Sequence, residues 1–187
     1  FQDPSQSLNP RMTLFDIISE AWVIHPDILP KSKWREQVDV LLEQVGLQAE
    51  FSQRYPHQFS GGQRQRIAIA RALALKPQVI VCDEAVSSLD VSVQAQVIKL
   101  LRKLKKELGL SYIFIAHDLP VVRDFADRVI VMNAGEIVEM DTVKNIFESP
   151  KKKYTQDLLA ASLDPNPDIQ AKRHKIRKEA QKRVVNR

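Results

Sequence analysis

The sequence predicts an α/β domain: an open sheet with its chemistry at the strand ends, joined to a smaller helical lobe. Three observations carry this. The apolar runs Val79–Cys82 and Tyr112–Ala116 have strand length, and each gives way at once to polar residues, Asp83-Glu84 and His117. Between them, Val93, Val97, Leu100, Leu101, Leu104 and Leu108 recur at helical spacing with Lys99, Lys103 and Lys106 facing water, so Val91 to Leu108 predicts one long amphipathic helix. Ahead of both, Met12 to Phe59 shows helical periods and loops.

In chain order, Leu14, Ile17, Ile18 and Ala21 predict a first helix that breaks at His25-Pro26. Val38, Leu41, Leu42 and Val45 predict a second, from Trp34, with Gly46 placed to end it. Trp22 and Trp34 read either as core or as a contact surface. His57 reads as a surface histidine on a turn, and no Cys or other His stands near it at zinc-ligand spacing.

The stretch Phe59-Ser-Gly-Gly-Gln-Arg-Gln-Arg66 opens the helix around which the chain is organised. Ser60 can cap it, since its hydroxyl can accept from an unpaired amide of the first turn. Gly61 and Gly62 carry no side chain and let a ligand approach the backbone, where outward-pointing amides favour an anion. Ile67, Ile69, Ala70 and Leu73 supply the buried face, and Lys76-Pro77 ends the helix. Gln63 and Arg64 are candidates to approach a ligand, Arg66 and Arg71 to make structural pairs, and Gln65 has no assignment.

Val79 to Cys82 predicts a buried strand that delivers Asp83 and Glu84 at its C-terminal end. Adjacent carboxylates point apart while the strand period persists, which allows a division of labour. Ser87-Ser-Leu-Asp90 turns into the long helix with Asp90 as its cap, and Gly109 stops it. Tyr112–Ala116 predicts a second buried strand. Asp118 stands where it would cap a short helix containing Val121, Val122 and Phe125. Arg128–Met132 and Glu136–Met140 predict a hairpin about Asn133-Ala-Gly135, followed by helices from Thr142 to Phe147 and from Tyr154 to Ala161. Asp164-Pro-Asn-Pro-Asp168 is a linker to a basic tail.

Ser60-Gly-Gly-Gln63, the strand Val79 to Glu84, Ser88-Leu-Asp90 and His117, in this order and spacing, resemble the ATPase subunits of ATP-binding-cassette (ABC) transporters: signature loop, Walker B strand, D-loop and switch histidine. The resemblance covers roughly Phe1 to Ala161. Gln2-Asp-Pro, Ser7-Leu-Asn-Pro-Arg11, Ala85-Val86 after the acidic pair, and Pro150 with Tyr154-Thr155 are similar to the oligopeptide and dipeptide importer branch. The implied fold is a P-loop NTPase (RecA-like) core lacking its N-terminal part, with a helical subdomain. The implied division is a Q-loop remnant over 1–11, the helical subdomain over 12–59, the ATPase core over 60–161 and the tail over 162–187.

That resemblance implies ATP and Mg²⁺ as ligands. Asp83 would hold Mg²⁺, and Glu84 would deprotonate the water that attacks the γ-phosphate. His117 would bind that phosphate and steady Glu84. Gln2 would reach both metal and water. Ser60, Gly61, Gly62, Gln63 and Asp90 would serve nucleotide held by a second ATPase domain in a head-to-tail dimer. Further implied partners are transmembrane permease subunits and, indirectly, a periplasmic or extracellular peptide-binding protein, which places the chain at the cytoplasmic face of a cell membrane. The alternatives are a soluble cassette ATPase outside transport, whose usual tandem cassettes or coiled-coil insertion do not appear in this sequence, and a catalytically silent scaffold.

Composition bounds these readings. The chain has 187 residues, 44% of them hydrophobic, enough for one sizeable core. Its single cysteine, Cys82, allows no internal disulfide and reads as a packed thiol. No apolar run reaches membrane-span length, and Phe1-Gln-Asp-Pro does not read as a signal peptide. The net charge is +5, but eight Lys or Arg and one Glu between Ile169 and Arg187 leave the rest of the chain at −2. A specific nucleic-acid partner is therefore not expected. The tail reads as a solvated segment or, failing that, as a contact for anionic lipid and then RNA. The phosphate-binding loop Gly-x-x-x-x-Gly-Lys-Ser/Thr does not occur among the 187 residues, whose glycines are at 46, 61, 62, 109 and 135. On the resemblance, the sequence is expected to be a fragment with weak or no ATP binding of its own.

Overall fold

The computed structural model describes residues 7–87 and 89–161. Gln2, Ser88 and the basic tail lie outside the described residues. The chain divides into two compact units, one ending at His117 and the other beginning at Asp118.

The first unit starts with helix α1, Leu14–Ile24. Thr13 caps it reciprocally: its Oγ1 accepts from the Asp16 amide at 3.2 Å, and Asp16 accepts from the Thr13 amide at 3.1 Å. Leu14, Ile17, Ile18 and Trp22 face inward. Trp22 is buried and its Nε1 donates to the Ala74 carbonyl at 2.9 Å, so this indole belongs to the core. Trp34 is half-buried, opens α2 (Trp34–Gln44), and lies 6.0 Å from Trp22 between ring centres. Gly46, at φ +75°, ends α2 as expected: its amide donates to Glu43 and that of Leu47 to Leu42, both at 2.9 Å.

Helix α3, Gly61–Leu73, buries Ile67, Ile69, Ala70 and Leu73 as its period predicts. Strand β1, Val79–Asp83, then pairs in parallel with β2, Ser111–Ile115, and α4 (Val91–Leu108) crosses between them. Val97, Leu100, Leu101 and Leu104 are buried on α4, whereas Leu108, in the last turn before Gly109, is 43% exposed and leaves the expected stripe.

The two strands are not buried on both faces as the apolar runs suggested. Val81 is 58% and Ile113 is 56% exposed, and they stand opposite each other in the ladder. Cys82 is buried, and Tyr112 lies against α4, its hydroxyl donating to the Leu101 carbonyl at 3.1 Å. A continuous apolar run signals a strand but does not tell one covered face from two. Burial pushes the Cys82 thiol up to about 11, so it stays protonated and packs as a small apolar group.

The second unit holds α5 (Leu119–Phe125), the antiparallel hairpin β3 (Arg128–Asn133) and β4 (Glu136–Thr142), α6 (Val143–Glu148) and α7 (Lys153–Ala161). Ala134 and Gly135, both at positive φ, make the two-residue hairpin turn. Asp118 stands at the start of α5 but its side chain makes no capping hydrogen bond, contrary to expectation. Thr142 does cap α6, accepting from Asn145 at 3.3 Å. Among the described residues no helix is long and apolar enough to cross a membrane.

Glu139 ties the start of α7 to β4. It is buried and accepts from the amides of Lys151 at 2.8 Å and Lys152 at 3.1 Å. The neighbouring Thr155 hydroxyl and those amides hold its carboxyl below the usual range. A carboxyl depressed in the folded state adds stability above its unfolded-state value and loses it as pH falls through the folded value. Stability of this unit is therefore expected to fall on acidification into that window. Glu139→Gln is expected to flatten the dependence, as read by urea unfolding at a series of pH values.

Candidate functional site

At the N-terminus of α3, Ser60 and Gln63 close a capping box. Ser60 Oγ accepts from the Gln63 amide at 3.3 Å, and Gln63 Oε1 accepts from the Ser60 amide at 3.0 Å. Helix geometry leaves the Gly61 and Gly62 amides with no intrahelical acceptor, so they point out of the helix start. The turn is anchored from behind by Arg64, whose Nε donates to the carbonyls of Pro56 and Phe59 at 3.0 Å each. Arg64 thus braces the loop, and Gln63 is committed to its cap, which the sequence did not indicate for either.

Arg66 and Arg71 make structural pairs, as expected. Arg66 donates to the Val45 carbonyl at 3.0 Å and to Gln96 at 3.3 Å, and Arg71 to the Ser7 carbonyl at 2.7 Å. Gln65, which had no assignment, is buried, and its Oε1 has no hydrogen-bond partner among the described residues.

The acidic pair sits at the C-terminal end of β1. Asp83 is the last strand residue, opposite Ile115. It is half-buried and lines a mainly apolar cleft of about 760 Å³, together with Ile80, Cys82, Ile69, Ala72 and Gln65. Glu84 does not continue the strand period. Its φ is +47°, in the left-handed region that a residue with a Cβ rarely occupies. Its amide donates to the Ile115 carbonyl at 2.9 Å, and its carbonyl accepts from the Ser87 amide at 3.1 Å and hydroxyl at 2.9 Å. These bonds hold the twist, and strain of this kind collects at functional sites.

His117 lies two residues past the end of β2, and its Nδ1 is 3.2 Å from Glu84 Oε1. The side chains are 66% and 34% exposed, so the contact is open to solvent and to a ligand. The structure therefore brings together Glu84 and His117, with Asp83 beside them in sequence.

Asp90, at the start of α4, accepts from the Val93 amide at 2.9 Å and the Ser92 hydroxyl at 2.8 Å, and these bonds lower its carboxyl below the usual range. It is the helix cap that the sequence predicts.

No group of three or more His, Cys, Asp or Glu that could hold a metal occurs among the described residues. Mg²⁺ commonly binds through one or two carboxylates and completes its shell with phosphate oxygens and water. Asp83 presents one carboxylate at the end of β1.

The family model described as ABC transporter matches residues 1–87. Over 173 residues the chain is 52% identical to an oligopeptide transport ATP-binding protein of Bacillus subtilis, covering 92% of this chain and 57% of that protein. The chain belongs to the ABC transporter family. It is also 51% identical over 176 residues to a dipeptide transport ATP-binding protein of Haemophilus influenzae, with 94% and 54% covered. Two ABC structures share its fold. One, from Clostridium perfringens and part of the transporter complex cbiONQ, aligns with TM-score 0.70 and 32% identity over 80% of this chain and 58% of its own. The other, a dimeric ATP-binding cassette in a post-hydrolysis state bound to ADP and Pi, aligns with TM-score 0.64 and 30% identity over 76% and 61%. The chain thus spans little more than half the length of the curated relatives it matches. The ABC family implies nucleotide binding, and the mixed helix and sheet architecture agrees with the fold expected from the sequence.

Two stability measurements check the local geometry. Ser60→Ala is expected to lower unfolding free energy by about 1 kcal/mol through loss of the cap. Glu84→Gly is expected to raise it by about 1 kcal/mol, because glycine relieves the left-handed backbone. Denaturant titration of each variant against the parent chain reads both.

Proposed function

We propose that the complete protein is the ATP-hydrolysing subunit of an importer for oligopeptides or dipeptides, working at the cytoplasmic face of a membrane. The observation that carries the catalytic part is the Glu84–His117 contact of 3.2 Å at neighbouring strand ends. The peptide assignment is supported by relatives named for oligopeptide and dipeptide transport at 52% and 51% identity.

In this reading Glu84 Oε takes the proton of the water that attacks the γ-phosphate, and the developing hydroxide adds in line. His117 holds the carboxylate through Nδ1 and leaves Nε2 to face a phosphate oxygen. The left-handed backbone at Glu84 turns its side chain off the strand line toward that histidine. Mg²⁺ bound through Asp83 would neutralise charge on the phosphate oxygens. Gln2 is assigned to the same metal and water on the family resemblance alone.

The capped turn Ser60–Gln63 serves nucleotide held by a second ATPase domain, facing head to tail. The outward amides of Gly61 and Gly62 suit an anion, while Ser60 and Gln63 keep the turn in shape. Asp90 sits close to that dimer contact. Closure of the dimer on ATP and its release after hydrolysis would drive the membrane permease subunits, which receive peptide from an external binding protein.

The test uses the complete gene product. Glu84→Gln is expected to lower kcat by about 100-fold or more while leaving nucleotide binding intact, so that a nucleotide-bound dimer accumulates on size exclusion. Hydrolysis at the parental rate would reject Glu84 as the base. Absence of permease subunits on affinity purification from solubilised membranes would reject the importer assignment.

A further inference from the structure

We propose that Val93, in the first turn of α4, is a positioning residue for the Ser60–Gln63 turn. It sets how closely α3 and α4 approach at Gly62, and so where the outward amides of that turn stand. The inference rests on the proposed role of that turn toward nucleotide on a second domain.

Gly62 is usually read as a glycine that lets a ligand near the backbone. The structure gives a different occupant for its missing side chain. A Cβ built on Gly62 would run into Val93 Cγ1, with Val93 Cβ and Cγ2 at 3.7 and 3.8 Å. Valine on a helix is confined almost entirely to one rotamer, so its methyl cannot swing clear. An alanine at position 62 must therefore push the two helix starts apart. Gly61 differs: its Cβ would meet only Leu89 Cδ2, at an ordinary 3.6 Å.

Val93 also carries the amide that Asp90 accepts at 2.9 Å. One residue thus joins two features. Its backbone completes the cap of α4, and its side chain backs the first turn of α3. Arg66, one turn further along α3, repeats the link by donating to Gln96 at 3.3 Å. The two helix starts are fastened at successive levels, so displacement of one carries the other. Two elements assigned to contacts with a second domain then move as one piece.

The geometry also defines a rescue. With alanine at 93 both γ-methyls are gone, and the nearest remaining Val93 atom to a residue-62 Cβ is the one at 3.7 Å. The experiment compares Gly62→Ala, Val93→Ala and the double variant of the complete gene product, reading thermal unfolding together with kcat and KM for Mg-ATP.

Gly62→Ala is expected to lower Tm and to cut kcat by about tenfold or more, since displacements of 1 Å are costly at a reacting site. The double variant is expected to recover most of both losses, and Gly61→Ala to leave Tm unchanged. A double variant that regains Tm but not kcat overturns the proposal, because glycine would then be needed for the ligand itself. A Gly62→Ala protein with unchanged Tm also overturns it. A parent protein that does not hydrolyse ATP rejects the functional reading, and the positioning role falls with it whatever the thermal data show.

Discussion

The hydrogen bond from the Glu84 amide to the Ile115 carbonyl, 2.9 Å long, is the constraint on which the candidate site depends. It extends the parallel β1–β2 ladder by one link past Asp83, after the regular pairing has ended. Because the register sets Asp83 opposite Ile115, the chain after β1 and the chain after β2 leave the sheet side by side. Glu84 and His117 meet there, although 33 residues separate them in sequence. The same bond holds Glu84 at positive φ. A slip of one residue would turn every strand side chain over and separate the pair.

Helix caps organise the rest of the first unit in the same manner. Ser60 with Gln63 opens α3, and Asp90 opens α4. Each cap places an ordered helix start at the end of a polar turn, and the Gly62–Val93 approach brings the two starts together. A partly exposed glutamate and histidine could wander on a mobile loop. Here the glutamate and histidine follow closely on strand ends, and the Ser60–Gln63 turn is braced by Arg64 against Pro56 and Phe59. Rigid elements of this kind suit a reaction whose catalysis is mainly positioning.

Much of this was legible in the residues. Ile67, Ile69, Ala70 and Leu73 on α3, and Val97 to Leu104 on α4, bury the faces their spacing predicts, because helical period alone decides which face is apolar. The caps Ser60 and Asp90 were readable from side-chain chemistry. The exposure of Val81 and Ile113 was not, since an apolar run reports a strand and not the number of faces covered. The left-handed turn at Glu84 was hidden because nothing about glutamate signals positive φ. The close approach of Val93 to Gly62 was hidden for a different reason. Val93 lies on another helix, and no local pattern names that partner. Arg64 likewise bonds carbonyls, whose positions depend on the fold and not on side-chain identity. Gln2 and Ser88 lie outside the described residues, so the Q-loop assignment stands on resemblance alone, and of the stretch that resembles a D-loop only Leu89 and Asp90 are described.

The claim that Glu84 and His117 act as one unit is open to a kinetic double-mutant cycle. Glu84→Gln, His117→Ala and the double variant of the complete protein would be compared by single-turnover hydrolysis of Mg-ATP. Residues that act together lose function once, so the double variant should be no slower than the slower single variant to within about threefold. If instead the two losses multiply, each side chain works independently, and the strand-end contact of 3.2 Å is not the catalytic arrangement.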